Sequence, residues 1–279
     1  MSNFTKLLKE HIFFFIGIIV IAILCFLVLL LKPHATAPEI LDPAIGPYNL
    51  VTFGLGFDTS IILLTIAFYL LNRWNKGGRT NTSLLVWSCG FFVYSSTFIA
   101  HIFRGIGFSW ANENSSPEIF FLWRFGMIIW AGCSLFGILR ILVEDKKTQI
   151  IPSLAVIGIG FSWFSYGLLI VRDIEWTMYG FLFGIWIPIC FSISYIFFIY
   201  GRKSKTTGPK VLFLGYLGLT ITYMGWAPWH FPDVIYFYFV WYFWFLLSLI
   251  PILIGFIMFS KESEEKSEEN LSKIKNHDL

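Results

Sequence analysis

Charged side chains are scarce in this chain. Only 13% of its 279 residues are Asp, Glu, Lys or Arg, whereas soluble domains carry about 25%. Hydrophobic residues make up 57% of the chain, and Phe, Trp and Tyr alone make up 20%. A chain of this composition could not cover its surface in water, so an ordinary soluble protein is excluded. The sequence predicts an integral membrane protein whose main partner is the lipid bilayer.

Sequence signatures of known chemistry are missing as well. The sequence contains no GxSxG, HExxH or P-loop motif, so an enzyme is less expected than a non-catalytic protein. No CxxC or Cys/His spacing typical of a metal site is present, and no metal is predicted. The sequence has no basic segment of the kind that binds in a nucleic-acid groove, so nucleic-acid binding is not predicted. The four cysteines lie inside apolar stretches and are expected to be small buried hydrophobic residues: Cys25, Cys89, Cys133 and Cys190.

Long apolar stretches recur from one end of the chain to the other. A helix needs about 20 apolar residues to cross a bilayer, and this length predicts an all-α membrane bundle of eight helices. Residues 1–260 form this single bundle, and residues 261–279 form a polar cytoplasmic tail. The predicted spans lie near residues 12–31, 50–72, 83–103, 118–143, 150–171, 176–200, 211–229 and 234–259.

The basic residues alternate between loops in agreement with these eight spans. If the amino terminus is cytoplasmic, the inner flanks hold thirteen Lys and Arg residues and the outer flanks only Lys32, Arg104 and Arg172. Cytoplasmic loops are the ones enriched in Lys and Arg. The pattern therefore places both termini in the cytoplasm of a multi-pass cell-membrane protein. Ala35-Thr36-Ala37 resembles a cleavage site, but Pro38 follows it directly, which favours a retained first span.

A weak internal repeat links the third and seventh spans. Tyr94 precedes His101 by seven residues, Tyr223 precedes His230 by seven, and the two pairs lie 129 positions apart. Two four-helix halves in the same orientation would follow from an old duplication. In so aromatic a chain, coincidence is the other interpretation.

Two ionisable residues are expected inside the membrane. Asp58 lies about eight residues into the second span and Arg124 about six residues into the fourth, both entering from the outer side. Because buried charges are costly, such residues tend to be paired. We therefore expect an Asp58–Arg124 ion pair. Such a pair either fixes the register of the two helices or binds a ligand or a proton.

The third span also carries a polar face that rises to the outer surface. Tyr94, Thr97, His101 and Arg104 are spaced for one side of a helix, and Trp226 and His230 lie at the same outer level on the seventh span. Three interpretations remain open. These residues anchor helices at the headgroups, line an outward-opening pocket, or supply axial ligands for a b-type haem through His101 and His230. No cofactor is otherwise predicted.

The outward polar and aromatic residues favour a receptor-like or sensory protein that binds a small ligand from the outer face. A cytoplasmic or membrane protein partner would then carry the signal. The alternative is a transporter or channel that uses the intramembrane Asp/Arg pair, although Pro188 and Pro251 form no matched pair of helix breaks. A haem-binding redox subunit ranks third. The candidate ligand-binding residues are Asp58, Tyr94, Thr97, His101, Arg104, Arg124, Trp226 and His230.

Overall fold

The computed structural model describes residues 47–105, 117–224 and 242–262, with side chains for 54–98, 124–173, 176–224 and 242–262. Across these ranges the chain is helical and contains no strand. The predicted all-α class is therefore confirmed for this part of the protein. The first predicted span, at 12–31, lies outside the described residues, as does all of the predicted tail beyond Glu262.

Seven helices, α1 to α7, run through the described ranges. They are α1 (Pro47–Lys76), α2 (Thr82–Gly105), α3 (Pro117–Leu142), α4 (Lys146–Tyr166, continued by a π-helical segment Gly167–Val171), α5 (Ile174–Phe181, a π-helical segment Leu182–Trp186 and Ile187–Ser204), α6 (Gly208–Met224) and α7 (Tyr242–Glu262). The bounds of α1 to α5 correspond to the second to sixth predicted spans within a few residues. The start of α6 and the end of α7 also correspond to the seventh and eighth predicted spans, whose other ends lie outside the described residues.

Several of these helices are able to cross a membrane. Judged by length and composition, five stretches of the described chain qualify, which is consistent with a multi-pass membrane protein. The total of eight spans and the cytoplasmic placement of the termini stay predictions. The five stretches are Gly54–Lys76, Arg124–Leu142, Lys146–Val171, Trp176–Ser204 and Tyr242–Glu262.

Helix α5 changes its winding in the middle. The π-helical segment Leu182–Trp186 lies immediately before Ile187 and Pro188, and the Ile187 N–H bonds to the carbonyl of Leu182, five residues back. Pro188 has no N–H to donate to the carbonyl of Gly184, four residues back. The α-helical hydrogen bonding is therefore interrupted here, and the wider π-helical turn accommodates the interruption. Such π-helical turns occur frequently at functional sites.

Glycines let neighbouring helices approach closely. Because small residues permit close packing of membrane helices, the sequence predicts this role for Gly132, Gly137, Gly158, Gly160, Gly215 and Gly218, and the structure confirms it for five of them. A Cβ atom at each of the five would come within 3.0 Å of an atom on a neighbouring helix or segment. The prediction is wrong for Gly158, which has no such atom within 4 Å because it lies on the exposed side of α4. The five close contacts occur at Gly132, Gly137, Gly160, Gly215 and Gly218.

Three interhelical loops and most of the described Lys and Arg residues lie at one end of the bundle. We call it the basic end; it comprises the α1–α2, α3–α4 and α5–α6 connections and the last turn of α7. The Glu262 carboxylate on α7 accepts hydrogen bonds from the backbone N–H groups of Thr207 (2.8 Å) and Gly208 (3.1 Å) at the start of α6. A carboxylate at a helix N-terminus is favourable, so this contact ties α7 to α6 and explains why α7 extends beyond the predicted residue 259.

Candidate functional site

Large aromatic side chains from four helices meet in the middle of the bundle. We call Tyr94, Trp130, Trp186, Tyr216 and Tyr223 the central cluster; all five are at most 3% exposed. The rings of Trp130 and Trp186 lie 4.3 Å apart, and Trp186 packs on Tyr94 at 5.2 Å and on Tyr223 at 5.1 Å. Tyr94, Trp130 and Trp186 lie near the middles of α2, α3 and α5, so the cluster is at mid-bundle depth.

The two tyrosines singled out by the sequence repeat contact each other. The hydroxyl groups of Tyr94 and Tyr223 are 2.6 Å apart and form a buried hydrogen bond between α2 and α6. Residues at equivalent positions of two halves can meet in this way when a pseudo-twofold axis runs between them. The bond therefore joins the two elements that the repeat relates.

The helix pairs on either side of this bond have matching bounds. When 129 is added to each residue number, the bounds of α1 (Pro47–Lys76) become 176 and 205. The observed bounds of α5 are 174 and 204. Moved likewise, α2 begins at 211, against 208 for α6. In each pair a serine bonds to the facing helix: Ser88 donates to the carbonyl of Ala67 at 2.8 Å, and Ser194 to that of Phe213 at 3.1 Å.

Thr97 and Arg124 extend the central cluster between α2 and α3. Thr97 lies opposite Gly126, where an added Cβ would be 2.5 Å from the Thr97 hydroxyl. Arg124, two residues before this glycine, is 6% exposed and close enough to act electrostatically on the hydroxyls of both Tyr94 and Tyr223. The structure thus brings together Tyr94, Thr97 and Arg124, three of the predicted ligand-binding residues.

Asp58 is buried on α1, and it does not form the ion pair with Arg124 that the sequence predicts. Asp58 is 1% exposed, and neither carboxylate oxygen has a hydrogen-bond partner in the described part of the chain. The geometry gives a reason: α2 packs against both α1 and α3, and Arg124 faces the tyrosine pair.

Polar atoms without a hydrogen-bond partner gather in the central cluster. Within the described ranges these are the indole N–H groups of Trp130 and Trp186, the hydroxyl of Tyr216 and the hydroxyl of Thr97. Buried polar groups are usually bonded, and exceptions call for an explanation such as bound water or ligand. These four groups belong to α2, α3, α5 and α6, and each of them has room in its hydrogen bonding for a bound acceptor.

The remaining predicted site residues cannot be compared with the structure. The side chains of His101 and Arg104 lie outside the described residues, as do Trp226 and His230 entirely, so the outward pocket and the haem ligation stay predictions. Sequence reasoning missed Trp130, Trp186 and Tyr216 as site residues. Tyr216 lies 129 positions after the aromatic Trp87, the same offset as in the repeat, and this is its only signal. Trp130 and Trp186 carry no signal beyond being Trp within apolar stretches.

No protein-family model matches this chain, and no curated protein or solved structure shows significant similarity to it. Among the described side chains, no three of the types His, Cys, Asp and Glu gather into a group that could hold a metal ion. The function therefore has to be argued from the central cluster and Asp58 themselves.

Proposed function

We propose that the protein is a multi-pass transporter of the cell membrane, with eight spans and both termini in the cytoplasm. It moves a small polar molecule together with a proton or a small cation. The observation that carries this proposal is the Asp58 carboxylate, buried on a helix able to cross a membrane and without a hydrogen-bond partner in the described chain.

A carboxylate in this position is suited to ion coupling. An uncompensated charge inside a membrane costs about 2.5–3.5 kcal/mol on insertion scales. Binding a proton or a small cation neutralises Asp58, and releasing it to water restores the charge. A group that alternates between these states can link ion movement to a change in helix packing.

The two matched helix pairs support transport in a second way. In many transporters the substrate lies near the middle of the membrane, between structural repeats, and next to an interrupted helix. Here the central cluster lies between α2 and α6, and Trp186 ends the π-helical segment of α5. The unbonded donors of Trp130, Trp186 and Tyr216 would bind a substrate that presents hydrogen-bond acceptors.

The test is a flux assay in two sets of proteoliposomes, one with a pH-sensitive dye and one with a dye that responds to monovalent cations, with panels of small polar molecules and of monovalent cations added outside. At least one compound should cause proton or cation flux through the wild-type protein, and Asp58→Asn should abolish this coupling. Asp173→Asn is the matched control, because Asp173 is exposed and caps α5 through the backbone N–H of Trp176, a role that Asn also fills. Equal flux through Asp58→Asn and wild type would contradict the role of Asp58.

A receptor-like protein that binds a small ligand from the outer face is the second candidate. The burial of Tyr94 and Thr97 on the polar face of α2 favours it, since that face points to helix neighbours rather than to lipid. The same assay separates the two functions. A compound that raises the thermal stability of the protein but causes no flux would support the receptor and contradict the transporter. The haem option, the third, predicts a Soret band that His101→Ala and His230→Ala remove.

A further inference from the structure

A second site lies at the basic end, far along the helices from the central cluster. A cavity of about 470 Å³ opens there between the α1–α2 turn, the first turns of α2 and the last turns of α3 and α7. Its volume falls in the range of about 300–1,000 Å³ that is usual for ligand pockets. None of the residues discussed above as ligand-binding candidates lines it.

The floor of the cavity is apolar and rigid. Trp87 forms part of it, and its indole N–H donates to the carbonyl of Ser134 at 3.3 Å on α3. The indole packs edge-on against Phe256 of α7, with ring centroids 5.2 Å apart. Because the polar edge of Trp87 is bonded away from the cavity, the ring offers an apolar wall, which Leu84 and Phe259 extend.

The rim of the cavity is polar and carries a single charged residue. Thr80, Asn81, Ser83 and Ser260 supply hydroxyl and amide groups, and Arg140 of α3 supplies the cation. No hydrogen bond or ion pair holds Arg140 within the described chain, so its guanidinium can bind an oxyanion in a bidentate manner. The N–H groups of Ser83 and Leu84 at the start of α2 are already bonded to the side-chain and backbone oxygens of Asn81, so Arg140 is the main group for the anion.

We propose that this cavity binds the phosphate-bearing headgroup of an anionic phospholipid, with the first part of its apolar chains on the Trp87 floor. A basic pocket between helices on the cytoplasmic side is suited to acidic lipids. The combination of one cation, a hydroxyl rim and an aromatic floor matches an anion that is attached to an apolar chain. A free phosphate would use the rim but leave the floor uncovered.

The experiment is native mass spectrometry of the full-length protein in detergent, with phosphatidylglycerol titrated against phosphatidylcholine. The wild type should retain one phosphatidylglycerol molecule more tightly than phosphatidylcholine. Arg140→Gln should weaken phosphatidylglycerol binding by about tenfold, since a charge-assisted bond to the phosphate is lost. Arg202→Gln is the matched control: Arg202 lies at the same end, over the ring of Phe198 and outside the cavity, and its loss should leave binding unchanged.

A second variant tests the apolar floor without a change of charge. Ser260→Phe places a ring in the cavity and should also weaken lipid binding. The melting temperature of each variant without lipid reports whether it is folded, and Leu84→Ala, which enlarges the floor, replaces Ser260→Phe if the latter does not fold.

Three results would overturn the proposal. Equal binding of the two lipids, or of wild type and Arg140→Gln, would show that the cavity does not select an anionic headgroup. Competition by inorganic phosphate at the same concentration as lipid would show a free-oxyanion site.

Discussion

The helix pairs α1–α2 and α5–α6 begin within three residues of a 129-residue offset and differ at their centres. In the first pair the middle of α1 carries a buried carboxylate, Asp58, on a regular α-helix. Moved by 129 residues, Asp58 falls on Ile187, which follows the π-helical segment of α5 and precedes Pro188. One pair therefore holds a charge at mid-depth, and the other holds a backbone irregularity.

This difference shows that the two helix pairs bury different features at their centres. Identical halves would bury two carboxylates or interrupt two helices, and each change costs stability. With one of each, a single ionisable group and a single adjustable helix lie on opposite sides of the Tyr94–Tyr223 bond. The transport function proposed above would couple ion binding on α1 to a change in the winding of α5 through α2 and the central cluster.

The largest loss of stability is expected where a glycine lets α2 pack closely on α3 and another lets α6 pack closely on α7. Substitutions at these two glycines test whether the two helix pairs pack on their neighbours in the same way. Gly126→Val brings a side chain against the Val93 carbonyl and the Tyr94 Cα, and Gly215→Val brings one against Ile252 and the Ser248 carbonyl. Backbone cannot yield cheaply, so each variant should lose about 1–3 kcal/mol of unfolding free energy or more. Denaturant unfolding in micelles measures this loss.

Gly158→Val is the control for both glycine variants, since nothing lies within 4 Å of its Cβ position. It should change stability by less than about 0.5 kcal/mol. A large loss at only one of Gly126 and Gly215 would show that the two helix pairs do not pack on their neighbours in the same way.

The tyrosine bond is expected to give a smaller and symmetric effect. Tyr94→Phe and Tyr223→Phe each leave a buried hydroxyl without its partner, at a cost of about 1–3 kcal/mol. The double variant removes both hydroxyls, so it should be less destabilised than the sum of the two single variants. A double-mutant cycle in micelles measures this coupling. Additive losses would mean that the 2.6 Å contact makes no energetic contribution.

The smallest effect concerns Asp145, a water-exposed carboxylate that contrasts with Asp58. The hydroxyl of Thr148 (2.6 Å) and then its backbone N–H (2.9 Å) donate to Asp145 at the start of α4, and these bonds hold the pKa of Asp145 below its usual value of 3.8. The resulting stabilisation is present above the unfolded pKa and is lost as the pH falls through the lower folded pKa.

Thermal melts of wild type and Asp145→Asn between neutral and acid pH measure this contribution. Asn keeps a capping oxygen but does not titrate, so the small advantage of wild type at neutral pH should vanish in acid. An advantage that persists below the folded pKa would show that the carboxylate charge is not its source.

Much of the fold could be predicted because bilayer thickness sets helix length. The apolar runs near residues 50–72, 83–103 and 118–143 lie within α1, α2 and α3 or within a residue of their ends. The turn of α5 into a π-helix could not be predicted, since Pro188 is compatible with a kink, a break or a wider turn. Likewise, Gly158 has the same local sequence context as a packing glycine, and only the rotation of α4 leaves it exposed.

The sequence by itself determined the all-α class, the alternation of basic loops, and the choice of Asp58, Tyr94, Thr97 and Arg124 as unusual residues. Placing a polar group in lipid costs free energy, so the composition of a membrane helix and the spacing of its polar residues can be interpreted directly from the sequence. Only the tertiary structure decided which groups meet. It set Arg124 beside the tyrosine pair, left Asp58 without a hydrogen bond among the described residues, and joined Tyr94 to Tyr223. These contacts depend on the rotation and depth of each helix, which arise from packing between helices far apart in the chain.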